Sequence, residues 1–292
     1  MQRPAIAEQQ FPRGALYMVA TPIGNLADIT LRALSCLEIV DAVAAEDTRM
    51  ARRLLDHFGI DKPCFAAHQH NEAQAAATVV ARLAQGERIA YLSDAGTPAI
   101  SDPGARLAAA AHAAHLRVVP IPGVSALTCA LSVAGLPEGP VYFAGFLPAK
   151  RGEARTIVAS LTNLAAHLVF YEAPHRILDT VALLAETLGA ARHIVIAREL
   201  TKLFESVQRL PLAEAHTWLS EDANRQRGEF VLIVEAGAPR EPDAQEAQRV
   251  LVRLLEVLSL RQAVDLCADI TGTPRKAVYA RALALKKEQD PI

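Results

Sequence analysis

The chain has 292 residues, of which 51% are hydrophobic and only 5% aromatic, so Ala, Leu, Val and Ile must fill its core. Its formal net charge of -2 argues against a uniformly basic nucleic-acid binder but allows a local basic face. The four cysteines are scattered without a C-x-x-C pair, which excludes the usual zinc and disulfide frameworks and fits the reducing cytoplasm. We expect no membrane segment, since the start lacks a signal-peptide core and no apolar run is long enough to cross a bilayer.

Residues 1–13 predict a loose tail, and an α/β domain is expected over 14–135. Short apolar runs alternate there with helix patterns, which is typical of a mostly parallel sheet. The runs read LYMVA, AVAAE, CFAA, RIAYLS and RVVPI in chain order.

Three loops in this half stand where a strand gives way to a helix. They contain TPIGN (Thr21–Asn25), SDAGTPAISDPG (Ser93–Gly104) and PGVS (Pro122–Ser125). Ligands of open α/β sheets bind at the carboxyl ends of strands, so these loops could converge on one ligand. They could instead be structural turns, and none of them is a G-x-G-x-x-G or Walker A sequence.

A Gly/Pro-rich stretch over 131–140 predicts a linker to a second α/β domain, which we place at 136–238. Its apolar runs are VYFAGF, HLVFYEA, HIVIARE and FVLIVEA, and their strands could run in both directions. A second linker is expected over 238–245. The remaining residues, 239–292, predict a helical module of two or three helices with a break at Gly272-Thr273-Pro274.

Acidic residues follow the second predicted strand. Glu46 and Asp47 could belong to an active site, or they could cap the next helix. The stretch His68–Glu72 has the side-chain types of a metal site but lacks H-E-x-x-H spacing, so we expect a substrate-facing loop and no metal.

Basic residues follow two strands of the second half. Arg176, Arg198 and Lys202 would meet at the cleft if these strands lay side by side in a parallel sheet, and could then clamp phosphates. The alternative for the segment Arg198–Glu205 is a solvated face with ion pairs. Three other basic clusters suggest a localised RNA face. The first is Arg49, Arg52 and Arg53, and the second is Lys150, Arg151 and Arg155. The third is Arg275, Lys276, Arg281, Lys286 and Lys287.

Several motifs occur together in a characteristic order: TPIGNLADITLRAL, AEDTRMARRLL, SDAGTPAISDPG, PGVSALTCAL, FAGFLP, FYEAPHRI, RELTKLFE and GEFVLIVE. The chain thereby resembles the ribosomal RNA small subunit methyltransferase I family, in the tetrapyrrole-methylase-like class of S-adenosylmethionine enzymes. The resemblance covers roughly Leu16 to Glu235 and continues into the helical module. AEDTR and FYEAPHR separate this branch from true tetrapyrrole methylases.

The resemblance implies two α/β domains with the cofactor in a cleft between them. It further implies a homodimer, S-adenosyl-L-methionine as methyl donor, and as acceptor the 2′-oxygen of a decoding-centre cytidine in 16S rRNA, presented in the small subunit. The implied cofactor residues are Pro22, Gly24, Asp94, Gly96, Ile100, Ser101, Ser125, Ala126, Tyr171, Ala173, Phe230 and Val231.

A ribose hydroxyl is a poor nucleophile near neutral pH, so a general base should help it. Our candidates for that base are Glu46, Asp47 and Glu199. Two other functions stay open: C-methylation of a tetrapyrrole ring, and a non-catalytic metabolite sensor that binds nucleic acid.

Overall fold

A computed structural model describes residues 11–68, 71–237 and 244–289. The chain divides into two compact units, Met1–Ala236 and Gly237–Ile292. The larger unit holds two five-stranded sheets. Most of the predicted tail, residues 1–10, lies outside the described residues.

The first sheet is entirely parallel, with strand order β3-β2-β4-β1-β5. Its strands are β1 (Ala15–Val19), β2 (Ala42–Ala45), β3 (Cys64–Ala66), β4 (Ile89–Leu92) and β5 (Arg117–Ile121). The helices that connect or follow them are α1 (Leu31–Ile39), α2 (Thr48–His57), α3 (Glu72–Ala84), α4 (Ala105–Ala113) and α5 (Ala126–Val133). All five strands fall where the apolar runs predict them.

Both faces of this sheet are buried, as a parallel sheet requires. Along β1 successive side chains alternate between the faces: Tyr17 packs in the core beneath α1 and α2, and Leu16 packs in the core beneath α3 and α4. The Thr30 hydroxyl caps α1 by accepting from the backbone N–H of Ala33 at 3.1 Å. This cap fixes where the chain leaves the loop after β1.

The second sheet is mixed, with order β6-β7-β10-β8-β9. Only β6 and β7 are parallel neighbours; β10 is antiparallel to β7 and β8, and β9 is antiparallel to β8. Its strands are β6 (Val141–Phe146), β7 (His167–Glu172), β8 (His193–Arg198), β9 (Ser206–Pro211) and β10 (Phe230–Val234). The helices that accompany it are α6 (Arg151–Ser160), α7 (Ile177–Leu188) and α8 (Leu212–Ser220). The edge strand β9 was not predicted, because SVQRLP carries few apolar residues.

Helix α5 precedes the boundary that we predicted at 135/136, yet it packs on the second sheet. Ala130 and Ala134 share a core with Val169, Val195 and other residues on one face of that sheet. The opposite face is covered by α6, α7 and α8. A helix from the first half of the chain therefore ties the two sheets together, and the exact domain boundary stays a prediction.

The smaller unit is a three-helix module, comprising α9 (Ala244–Leu255), α10 (Leu260–Thr271) and α11 (Arg275–Gln289). Ser259 and Gln262 form a capping box at the start of α10. Gly272, at φ 65°, ends that helix in the left-handed region, and Pro274 precedes α11. The break predicted at Gly272-Thr273-Pro274 is thus the turn between two helices.

Candidate active site

The three Gly/Pro loops of the first sheet meet, because β1 lies between β4 and β5. Thr21 and Gly96 exchange two backbone hydrogen bonds, of 2.9 and 3.0 Å. The Thr97 hydroxyl donates to the carbonyl of Val124 at 3.1 Å, which joins the loops after β4 and β5. The expected convergence is therefore present, and it is held by backbone hydrogen bonds and by the Thr97 hydroxyl.

A first cavity, of about 290 Å³, lies where these loops face the second sheet. Nine of the twelve predicted cofactor residues line it, and they come from both sheets. They are Gly96, Ile100, Ser101, Ser125, Ala126, Tyr171, Ala173, Phe230 and Val231.

The wall of this cavity is mostly apolar, and Ile23, Phe146 and Leu200 contribute to its apolar surface. Its charged lining residues are Asp102, Glu172, Lys202 and Glu229. A further polar part is the start of α5, where Ser125 is the N-cap but its side chain makes no capping hydrogen bond. Helix N-termini attract anionic groups, so a carboxylate would be bound favourably there.

Backbone strain is concentrated on the loop after β4. Ala99 and Ser101 adopt positive φ angles of 67° and 63° although neither is glycine. A Cβ atom on Gly145 of β6 would stand 2.8 Å from the Ser101 hydroxyl, so glycine allows the second sheet to approach this loop closely. Strained positions of this kind cluster at functional sites.

A second, larger cavity, of about 770 Å³, adjoins the first. It is lined by the other three predicted cofactor residues, Pro22, Gly24 and Asp94. Met50 and Arg53 of α2 also line it. The two cavities share Ile23, Ala95 and Lys202, so Lys202 stands where they join.

Three carboxylates gather beside these cavities. The backbone N–H of Asp94 donates to Glu46 at 3.3 Å, and that of Asp47 donates to Asp94 at 3.1 Å. Asp102 lines the first cavity. Burial, together with the charges of Glu46 and Asp94, raises the pKa of Asp102 to about 6. Burial also raises the pKa of Glu46; the hydrogen bond from the Asp94 backbone opposes this shift, and the charges of Asp94 and Asp47 add to it.

Asp102 was not among our predicted bases. Its position in the sequence gave only the general signal of an acid in a glycine-rich loop. The pKa of Asp102 is raised first by burial and then by the charge of Glu46, which lies 56 positions away in the chain, and both causes exist only in the fold.

Asp47 caps α2, which is the second of the two interpretations of the AEDTR motif. Its carboxylate accepts from the backbone N–H of Arg49 at 2.8 Å and forms an ion pair with the same residue. The hydrogen bonds from the Arg49 side chain and backbone hold the pKa of Asp47 at about 2. A carboxylate held in this way is a weak proton acceptor.

Glu199 and Lys202 form a compact charged group with Glu229. The Lys202 ammonium lies 2.8 Å from a carboxylate oxygen of each glutamate. Although burial acts in the opposite direction, the bonds from Lys202 and from the backbone N–H of Glu229 lower the pKa of Glu199. This geometry favours a positioning role for Glu199 over a role as base.

The expected side-by-side arrangement of β7 and β8 is wrong, because β10 lies between them. Arg176, after β7, donates to the carbonyls of Leu147 and Pro148, both at 2.9 Å. Arg198, at the end of β8, donates to the carbonyls of Phe204, Asn224 and Arg227. These two guanidinium groups hold loops in place, and of the predicted trio Lys202 alone lines either of the two cavities.

Other predicted substrate residues lie on exposed surfaces and form ion pairs. Arg49 has an 89% exposed side chain, paired with Asp47. Lys150 pairs with Glu153, and Arg151 with Glu186. In the smaller unit, Arg275 pairs with Asp265 and Lys276 is exposed on α11. The side chains of Lys286 and Lys287 lie outside the described residues.

The loop around His68, which we expect to face the substrate, makes hydrogen bonds that hold neighbouring elements where it is described, and its role toward the substrate stays a prediction. Asn71 accepts from the backbone N–H of His68 at 2.8 Å. Buried Glu72 accepts from the backbone N–H groups of Gly104 and Arg106, at the start of α4. Gln69 and His70 lie outside the described residues.

Within the described ranges, no three His, Cys, Asp or Glu side chains are grouped to hold a metal ion. Nor does any helix in that part of the chain combine the length and the apolar character needed for a membrane crossing.

Comparison with known proteins decides the family. A family model for Tetrapyrrole (Corrin/Porphyrin) Methylases matches residues 15–216. The chain belongs to the tetrapyrrole methylase family. A second family model, the RsmI C-terminal HTH domain, matches residues 241–286, which include most of the three-helix module.

Two relatives place the chain more finely within the tetrapyrrole methylases. A Pseudomonas aeruginosa protein named ribosomal RNA small subunit methyltransferase I is 49% identical over 273 residues, covering 92% of this chain and 97% of that protein. A protein of the same name from Escherichia coli O157:H7 is 47% identical over 272 residues, covering 93% and 95%. The predicted membership of this branch is confirmed.

Solved structures agree on the fold. Uroporphyrin-III-C-methyltransferase from Thermus thermophilus superposes with a TM-score of 0.55 at 20% identity, covering 76% of this chain and 94% of that one. The methyltransferase CobJ gives 0.57 at 16% identity, covering 77% and 94%. The predicted class, two α/β domains with a helical module, is confirmed.

The tetrapyrrole methylase family uses S-adenosyl-L-methionine, which confirms the predicted cofactor. The first cavity fits such a ligand in two respects. Its apolar wall suits an adenine ring, and the start of α5 suits the carboxylate of the amino-acid part. The backbone N–H of Leu127 in this turn donates to the Tyr171 hydroxyl at 3.1 Å, which fixes the helix start against the second sheet.

Proposed function

We propose that this chain methylates the ribose 2′-oxygen of a decoding-centre cytidine in 16S rRNA. The observation that carries the proposal is the second cavity, which adjoins the first at Lys202 and offers separate room for an acceptor nucleotide. The names of its relatives supply ribosomal RNA of the small subunit as the class of acceptor.

S-adenosyl-L-methionine supplies an electrophilic methyl group on a sulfonium that leaves as a neutral thioether. The task of the chain is to hold the ribose hydroxyl in line with that methyl group and to take its proton. Holding two reactants in attacking geometry supplies much of the rate in such displacements.

We assign proton acceptance to Asp102. Its place in the first cavity and its pKa of about 6 support this assignment, because such an acid is ionised at neutral pH and still basic enough to help. Glu46 is the next candidate, since it belongs to the same carboxylate group. Asp47 and Glu199 follow, as each is already engaged by a cation and by backbone N–H groups.

We further propose that Arg49, Arg53 and Lys276 contact phosphates of the RNA backbone. Arg53 lines the second cavity, and Arg49 lies four residues earlier on the same helix. A helix-turn-helix module with exposed Lys276 on α11 offers a second, independent contact with phosphates. We further propose a cytoplasmic homodimer that acts on the assembled small subunit.

Mapping of 2′-O-methyl groups tests the function directly. Small subunits from cells lacking this gene would be incubated with the purified chain and S-adenosyl-L-methionine, and the rRNA read by primer extension at low nucleotide concentration. One new stop in the decoding centre is expected. Methyl groups on a tetrapyrrole and none on rRNA would favour the C-methylase alternative, and cofactor binding without any transfer would favour the sensor.

A further inference from the structure

Two large apolar side chains project from the loop that joins β8 to β9. Leu203 is 90% exposed and Phe204 is 67% exposed. We call residues 199–205 the 199–205 loop. A single exposed apolar side chain is ordinary, but two adjacent ones on a surface loop call for a partner.

The 199–205 loop is nevertheless held in a defined shape. Glu199 and Thr201 adopt positive φ angles of 53° and 67°, the second being unusual for a β-branched residue. The Arg198 guanidinium donates to the Phe204 carbonyl at 2.9 Å, and the Glu205 carboxylate accepts from the backbone N–H of Thr201. The loop therefore presents its two apolar side chains on a fixed backbone.

Its position links these side chains to the active site. Leu200 lines the first cavity, and Lys202 lines both cavities. The Lys202 side chain crosses so close to Gly24 that a Cβ atom there would stand 2.4 Å from its Cγ. Leu203 and Phe204 thus continue directly from the residue at which the two cavities join.

We propose that Leu203 and Phe204 form an apolar wedge that stacks against a nucleobase beside the target nucleotide. The proposal rests on the proposed function, since it requires an RNA acceptor. If the acceptor nucleotide leaves the stacked strand to enter the second cavity, a gap opens between its neighbours that a protein side chain can fill. An aromatic side chain fills such a gap well, because every base offers a face for stacking.

RNA is a better occupant than a second copy of this chain. Two side chains on a narrow loop are far smaller than the roughly 800 Å² per partner that a stable protein interface buries. The 199–205 loop itself carries the charged residues Glu199, Lys202 and Glu205, whereas the core of a protein interface is depleted of charge.

Kinetics on small subunits tests the wedge. Phe204→Ala should lower kcat/KM for subunits by roughly 5- to 150-fold, the range expected for the loss of one stacked base. Affinity for S-adenosyl-L-methionine should stay unchanged, because neither Leu203 nor Phe204 lines the first cavity. Phe204→Trp should retain activity. Leu164→Ala is the matched control: Leu164 is 38% exposed and precedes β7, at the end of that strand away from the cavity.

Photo-crosslinking identifies the occupant. The photoreactive residue p-benzoylphenylalanine placed at position 204 should crosslink to rRNA near the methylated nucleotide. Crosslinking to a second copy of the chain, or normal kcat/KM for Phe204→Ala in a preparation whose wild type methylates subunits, would overturn the wedge. Failure of the wild type to methylate any subunit counts against the proposed function instead, and the crosslink still decides whether the loop contacts RNA.

Discussion

Two strained loops line the first cavity, and they are held in different ways. The Ser93–Gly104 loop has positive φ angles at Gly96, Ala99, Ser101 and Gly104. Two backbone hydrogen bonds between Thr21 and Gly96 join its centre to the neighbouring loop, and the carboxylates of Glu46 and Glu72 accept from backbone N–H groups near its two ends. The 199–205 loop has positive φ angles at two non-glycine residues and is fixed mainly by charged side chains.

This difference has a physical consequence. The backbone hydrogen bonds between Thr21 and Gly96 involve no titratable group and are buried, so the centre of the Ser93–Gly104 loop should keep its shape as salt or pH changes. Charge pairs at the surface are screened by salt and lost when a carboxylate is protonated. The 199–205 loop should therefore be the part of the site whose order depends on conditions.

The largest expected effect lies in the first loop, at the proposed base. Asp102→Asn keeps the shape of the side chain but cannot take a proton, so turnover should fall by roughly 10²–10⁴-fold. The wild-type rate should rise with pH through about 6 and then level, because the ionised form of Asp102 is the active one. The variant should lose this step while it keeps its affinity for S-adenosyl-L-methionine.

Two further variants sharpen that measurement. Glu46→Gln removes a negative charge that raises the pKa of Asp102, so the step in the pH profile should move to lower pH. Asp61→Asn, at an exposed acid outside both cavities, is the control. If the pH dependence of the rate were unchanged in Asp102→Asn, the general base would instead be Glu46 or solvent water.

The next largest effect is expected at Gly96, on the Ser93–Gly104 loop that lines the first cavity. Gly96→Val places a branched side chain at φ 76°, where its Cβ would lie 3.3 Å from Ile23. We expect a loss of affinity for S-adenosyl-L-methionine of about 100-fold or more, measured by calorimetry on protein whose circular dichroism is normal.

A control variant at a glycine with a similar positive φ, outside both cavities, distinguishes an effect on cofactor binding from an effect on folding. Gly59, at φ 67° after α2, has nothing within 4 Å of its Cβ position. Gly59→Val should lower the melting temperature in the same way as Gly96→Val and leave cofactor affinity intact. Equal cofactor affinity in the two variants would remove Gly96 from the cofactor site.

Much of this site could be predicted from the sequence, and the reasons are local. Strand-to-helix loops rich in Gly and Pro mark the carboxyl edge of a parallel sheet, and five predicted cofactor residues on these loops line the first cavity: Gly96, Ile100, Ser101, Ser125 and Ala126. The four predicted residues on the second sheet came from the family resemblance. The sequence does not reveal which strand lies between β7 and β8, or how charges distant in the chain act on each other. The neighbours of Arg176, the pKa of Asp102 and the fixed shape of the 199–205 loop therefore required the fold.

A smaller effect is expected in the charged loop. Glu199→Gln weakens the contact with Lys202, and for such a partly exposed group the free energy of unfolding should fall by about 1 kcal/mol at neutral pH. The folded state lowers the pKa of Glu199, so its contribution is present above the ordinary glutamate range and is lost as pH falls through the lowered pKa. Denaturant melts of the two proteins should therefore converge in acid and in high salt. Glu153→Gln, in an exposed pair with Lys150, should change little at any pH, and a similar loss there would mean that Glu199 has no special role.

The smallest expected effect concerns groups that belong to neither loop. None of the four cysteines lines either cavity, and burial raises the pKa of the Cys36, Cys64 and Cys267 thiols, which keeps them un-ionised near neutral pH. Replacing all four by Ala should lower the melting temperature, because Cys36 and Cys267 are fully buried, but turnover should stay within about twofold.

Treating the enzyme alone with EDTA, desalting it and then adding subunits in Mg²⁺ buffer should likewise preserve turnover, since a methyl sulfonium reacts without a Lewis acid. This order of addition protects the rRNA fold, which itself needs Mg²⁺. Activity lost after EDTA and restored by Zn²⁺ but not by Mg²⁺ would contradict the proposed proton transfer to Asp102 as the only activation of the hydroxyl.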